Sequence, residues 1–126
     1  MWVVEIGLIE GWLRSLSDDD YDLVIAALLV LRSEGPSLGR PLVDGVKSSR
    51  HKNMKELRPG SKGRTEYRLL FAFDSARQAI VLVAGDKRGS WEKWYRTNVP
   101  LADTLFDEHL AALNSERKTT DGKNPR

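Results

Sequence analysis

The spacing of apolar positions along the chain changes several times, and each change marks the edge of an element. Trp2–Ile6 is a short run that predicts a first strand, and Leu8, Ile9, Trp12 and Leu16 then recur at helical spacing. Ser17, with Asp20 three positions on, fits the start of a second helix, and the Asp18-Asp19-Asp20 cluster suits the positive end of its dipole. That helix is predicted to run to about Ser33, because Gly35 suits the residue after a helix and Pro36 cannot continue one. Leu23–Leu31 is apolar all round, so this helix is either deeply buried or covered in part by a partner protein.

Ser37–Lys52 is rich in Gly, Pro, Ser and bases and predicts a long connection. Three strands are expected next, at Met54–Arg58, Arg64–Phe73 and Ala79–Gly85; the short Pro59–Gly63 and Asp74–Gln78 links make them an antiparallel meander. In the middle strand Tyr67, Leu69, Phe71 and Phe73 share one face, while Arg64, Glu66, Arg68 and Leu70 share the other. One face should pack on helices and the other should present arginine. Pro100 is placed to open a last helix, with Leu101, Leu105, Leu110 and Leu113 as its apolar stripe. The expected fold is α+β: an antiparallel sheet, made of the N-terminal strand plus the meander, packed against two N-terminal helices with a C-terminal helix. A single domain is expected over residues 1–114, followed by a polar, disordered tail at 115–126.

Composition narrows the class. With 40% hydrophobic and 30% charged residues the chain has a soluble globular mix, and 126 residues suit one core. Cysteine is absent, which excludes disulfides and thiolate chemistry and suits a cytoplasmic protein. Leu23–Leu31 is far short of the roughly 20 residues a membrane span needs, and no basic segment precedes Trp2, so neither anchor nor signal peptide is expected. Charge is segregated: Met1–Glu34 holds seven acids and two bases, net −5, whereas Arg40–Arg68 holds nine bases and three acids, net +6. Such a field steers a polyanion; a merely solvated basic face has the same composition.

The strings Lys55-Glu56-Leu57-Arg58, Tyr67-Arg68-Leu69-Leu70-Phe71 and Gly85-Asp86-Lys87-Arg88, in this order and at strand-sized spacing, resemble the phage-derived HigB-like branch of the RelE/ParE superfamily. The resemblance extends to about Leu113. It implies the toxin of a type II toxin–antitoxin pair that cleaves mRNA on the ribosome and is bound by an antitoxin, usually a helix-turn-helix protein. No metal or other cofactor is implied. Arg68 matches the recurrent catalytic arginine of the family's strand, Lys87 and Arg88 match the bases after the last strand, and Tyr95 matches its aromatic residue. The active sites of such toxins are often rich in histidine, and here only His51 and His109 exist.

Metal-free RNA cleavage needs a base for the 2′-OH proton, cations for the charge that develops on phosphorus, and an acid for the departing 5′ oxygen. Arg68 and Arg64, on one face of the predicted strand, could clamp a phosphate. Tyr95 could be the general base, could stack on a nucleobase, or could be a half-buried structural hydroxyl; Trp91 and Trp94 read as packing residues. His51 is the one histidine of the basic region and a candidate for proton transfer, whereas His109 reads as structural. Lys47, Arg50, Lys52, Lys55 and Arg58 are candidates for holding RNA phosphates, although Arg58 could equally pair with Glu56 or Glu66. Two non-nuclease readings stay open: a ParE-like toxin that binds DNA gyrase without catalysis, and an inactive RNA-binding module.

Overall fold

The computed structural model describes residues 1–123, with side chains as far as 116. The chain runs β1 (Val3–Glu5), a 3-10 turn (Gly7–Ile9), α1 (Glu10–Arg14), α2 (Asp18–Glu34), β2 (Val43–Gly45), β3 (Lys55–Leu57), β4 (Tyr67–Phe73), β5 (Gln78–Asp86) and α3 (Trp91–Lys123). The five strands form one sheet in the order β1-β5-β4-β3-β2. The α+β class and the meander stand as expected, with two differences. β1 pairs parallel with β5, so the sheet is mixed rather than antiparallel. A fifth strand, β2, forms inside the predicted connection and pairs antiparallel with β3.

Period-two alternation sends the strand side chains into two separate cores. On one side Leu57, Tyr67, Leu69, Phe71 and Val81 pack with Leu13 of α1 and Val24, Leu28 and Leu31 of α2. On the other, Met54, Leu70, Ala72, Ile80 and Leu82 pack with Val99, Ala102 and Phe106 of α3. The face expected to present arginine is therefore mostly covered by α3, and only the Arg68 end of β4 is left for chemistry. The pairing of β4 with β5 slips between Leu70 and Phe71, so that Leu82 and Val83 both join the core under α3.

Local chemistry explains the helix boundaries. The Ser17 hydroxyl accepts the Asp20 N–H at 3.2 Å and caps α2. The Asp20 carboxylate leaves the cap and accepts instead from the Tyr67 hydroxyl (2.7 Å) and the Lys62 N–H (3.0 Å), which ties the β3–β4 loop to α2. Gly35 ends α2 with φ +60°, and a Cβ there would lie 2.4 Å from the Trp2 indole nitrogen, so both conformation and space require glycine. Of the apolar-all-round stretch of α2, Val24, Ala27, Leu28 and Leu31 face the core while Leu29 and Val30 are exposed.

Two boundaries differ from expectation. α3 starts at Trp91, so Pro100 lies inside it rather than at its first turn. Gly89, with φ +81°, turns the chain, and the Ser90 carbonyl then accepts the Trp94 N–H at 2.9 Å, which starts the helix nine residues before the proline. The tail expected from residue 115 continues α3 as far as Lys123, and its last three residues lie outside the described ones.

Asp74 locks the β4–β5 turn to α3. One carboxylate oxygen accepts the N–H groups of Ala76 (2.9 Å) and Gln78 (3.0 Å), and the other accepts from the Gln78 amide (3.0 Å) and meets His109 Nε2 at 2.7 Å. Burial pushes the carboxyl up, but the bonds from His109, Gln78 and Ala76 outweigh it and leave its pKa below the usual carboxylate value. His109 is structural, as expected. Asp74→Ala should lower the free energy of unfolding by about 3 kcal/mol in urea titrations, because buried donors lose their acceptor. A depressed carboxyl contributes its full stability above its unfolded pKa of about 3.9 and loses it as pH falls through the folded value. Acid should therefore narrow the gap between wild type and Asp74→Ala; a gap unchanged at pH 3 would show that the charge of Asp74 is not what matters.

Candidate active site at the end of the sheet

Strand register builds the site. Asp44 of β2 lies opposite Glu56 of β3, and Glu56 lies opposite Leu70 of β4. Arg58 is two positions from Glu56 and Arg68 two from Leu70, so all four polar side chains share the α3 face of the sheet, just beyond its apolar part. The first turn of α3 adds Tyr95 from above.

Glu56 is the centre of this group. Its side chain is 4% exposed, and polar partners replace its hydration. Arg58 holds Oε2 through Nε (2.9 Å) and a terminal nitrogen (2.7 Å), and the same nitrogen reaches Asp44 at 3.2 Å. The Tyr95 hydroxyl donates to Oε1 at 2.6 Å. Arg68 Nε stands 3.9 Å from Oε2, too far for a hydrogen bond, and is buried without a hydrogen-bond partner among the described residues. A terminal nitrogen of Arg68 donates to the Tyr67 carbonyl at 2.7 Å, which fixes the guanidinium beside Glu56 and Tyr95. The Lys87 ammonium lies 5.8 Å from the centre of the Tyr95 ring.

The electrostatics follow from these contacts. Arg58, Arg68 and Lys87 carry three positive charges against the two carboxylates of Asp44 and Glu56, so the group has an excess of cation and an unfilled donor. Burial lowers the pKa of Arg58, but the hydrogen bond and charge of Glu56 and the charge of Asp44 raise it further, and the guanidinium stays charged. Burial and the bond to Glu56 push Tyr95 up to about 12. At neutral pH its hydroxyl keeps its proton, so of the roles left open for Tyr95 that of general base is the one this geometry disfavours.

The remaining sequence candidates scatter. Arg64 lies in an exposed bend before β4 rather than on the strand, so alternation does not align it with Arg68. Arg88 is exposed in the turn after β5. His51 sits elsewhere: its Nε2 meets Asp107 of α3 at 2.8 Å, and its ring packs edge-on against Phe106. Asp107 is twelve residues beyond Tyr95, which is about 18 Å along a helix. Arg50 is bound to the same Asp107 at 2.6 Å, and its N–H and the Ser49 hydroxyl both donate to Asp103. Lys47 and Lys52 are exposed, and Lys55 alternates onto the other face of β3 with Leu57.

Sequence reasoning treated Glu56 only as an ion-pair partner of Arg58 and passed over it as the hub. The available signal was the run Met54, Glu56, Arg58: an acid on the core-facing side of a strand, between an apolar residue and a base. Trp94 and Trp91 also divide. Trp94 packs against Gly85, where a Cβ would lie 2.6 Å from its indole nitrogen, whereas Trp91 is 57% exposed.

Residues 11–107 of this small α+β domain match phage-derived protein Gp49-like (DUF891), and the chain belongs to that family. Among its relatives, a protein of Mycobacterium tuberculosis (strain ATCC 25618 / H37Rv) with the provisional name toxin HigB2 is 58% identical over 116 residues, which are 92% of this chain. This chain spans only 58% of the length of that protein. A second protein of the same strain, provisionally named toxin HigB3, is 47% identical over 112 residues, covering 89% of this chain and 96% of the relative. No solved structure matches the chain. No helix among the described residues is long and apolar enough to cross a membrane.

Proposed function

We propose that the chain is the toxin of a type II toxin–antitoxin pair and a metal-free endoribonuclease that cleaves mRNA on the ribosome in the cytoplasm. The observation that carries this reading is the buried Glu56 carboxylate, set among Arg58, Arg68 and Tyr95 with one arginine N–H left unpaired. The names of the two mycobacterial relatives support the toxin part.

In this reading an RNA phosphate draws on the partly exposed guanidiniums of Arg58 and Arg68, which loosens the hold of Arg58 on Glu56. Glu56 then takes the proton of the 2′-OH. The 2′ oxygen attacks phosphorus, the bond from phosphorus to the 5′ oxygen breaks, and a 2′,3′-cyclic phosphate and a 5′-OH result. Arg68 and Arg58 stabilise the charge that develops on the phosphate oxygens, and Lys87 supplies the proton for the departing oxygen. Tyr95 holds Glu56 in place. Exposed Lys47, Lys52 and Arg88 contact flanking phosphates and set no chemistry. The partners are mRNA, the ribosome and a cognate helix-turn-helix antitoxin.

Inducing the wild type from a tightly controlled promoter and mapping 5′ ends of cellular mRNA tests the reading. Codon-phased cuts bearing 5′-OH ends are expected within minutes. Growth arrest without new ends would replace it with a toxin that acts by binding a protein.

A further inference from the structure

Beside Glu56 the surface opens into a groove of about 360 Å³, lined by Gly45, Val46, Lys47, Ser48, Trp91 and Tyr95. It lies between the segment after β2 and the first turn of α3. Its lining is apolar at Val46 and the two rings, with buried Glu56 and exposed Lys47 as its charged members. The Trp91 ring, 57% exposed, meets Tyr95 edge-on at 6.5 Å and keeps much of its surface open.

An exposed indole beside an apolar groove is a platform on which a flat ring can stack. The surroundings specify the occupant. Lys47 lines the groove, and Arg58 and Arg68 stand against Glu56 at its wall, so cations accompany the apolar lining. A flat apolar body carrying anionic groups fits this arrangement, and a nucleobase within a strand of RNA is such a body.

We propose that this groove is a base-binding subsite, in which Trp91 stacks on the nucleobase next to the scissile phosphate while Lys47 takes the phosphate beyond it. The inference rests on the nuclease reading for the word scissile only; the stacking site stands on the groove itself. Trp91 is a binding residue, remote from the proton transfers.

The test uses the intact protein and short single-stranded oligoribonucleotides made uncleavable by 2′-O-methyl groups, with binding followed by fluorescence anisotropy. Trp91→Ala should weaken binding about tenfold or more, the usual worth of one base–aromatic stack, and Trp91→Phe should retain most of it. An abasic site moved along the oligonucleotide should cost the wild type a similar factor at one position and cost Trp91→Ala nothing more at that position. Circular dichroism and thermal midpoints are expected to match across the variants, because the ring packs into no core. Unchanged binding by Trp91→Ala, losses that multiply at every abasic position, or no binding by the wild type would each overturn the subsite. Cleavage of the unmethylated oligonucleotide, free and in a translation reaction, is read separately. Trp91-dependent binding without any cleavage leaves the subsite and removes the nuclease reading, and cleavage with Trp91-independent binding does the reverse.

Discussion

Glu56→Gln should reduce the rate of mRNA cleavage by about 10³-fold, the usual worth of a positioned general base. The amide is isosteric and can still accept from the Tyr95 hydroxyl, so the group is expected to keep its place while losing the lone pair that takes the 2′-OH proton. Arg58 keeps Asp44 at 3.2 Å as its second carboxylate, which limits the cost of removing the first. Single-turnover cleavage in a reconstituted translation reaction reads the rate, and a urea midpoint checks the fold. A folded Glu56→Gln that cleaves within a few-fold of wild type would strip Glu56 of the role of base and leave it a structural anchor for Arg58 and Tyr95.

Arg68→Ala is expected to lower the same rate by about 10²–10³-fold, as loss of one donor to a developing anionic charge does. The argument is the unfilled N–H. Arg68 Nε is buried, has no hydrogen-bond partner among the described residues and stands 3.9 Å from Glu56, so removing it leaves no native bond broken at that atom. The loss should appear in the maximal rate more than in the half-saturating concentration, because the interaction is realised as charge develops. Arg68→Lys should recover only part of the activity, since an ammonium cannot reproduce the directed pair of guanidinium donors. A loss confined to the half-saturating concentration would make Arg68 a phosphate-positioning residue.

How far the sequence carried these arguments differs by element. β4 was legible because Tyr67, Leu69, Phe71 and Leu70 alternate between two buried faces, and β5 because Ala79–Val83 is uninterrupted apolar. The direction of β1 was not, since nothing in Trp2–Ile6 distinguishes a parallel from an antiparallel neighbour. β2 was hidden because three residues within a Gly- and Pro-rich segment leave no periodicity to read. Pro100 misled the start of α3, because proline suits a first turn but is tolerated inside a helix that tertiary packing holds on both sides. Here Val99 and Ala102 anchor it to the sheet.

At the site, the cations on β4 and after β5 were singled out as candidates, as basic side chains next to a strongly patterned strand stand out in any reading. Glu56 was not, because its importance lies in three partners from separate elements: Arg58 on the same chain end, Arg68 from β4 and Tyr95 from α3. His51 stands apart from this group for a matching reason. Its partner Asp107 lies far along the sequence, and only the folded chain brings the two together.

The parallel pairing of β1 with β5 also sets a timetable. Val3 cannot find Gln78 until most of the chain has been made, and contacts so distant in sequence form late and slowly. Tyr95 comes later still, on a helix that packs on the sheet through Val99 and Phe106. While the ribosome is still synthesising this protein, the chain therefore carries β3 and β4 before the tyrosine that bonds Glu56 exists, and the machine proposed as its target makes that partner last of the group.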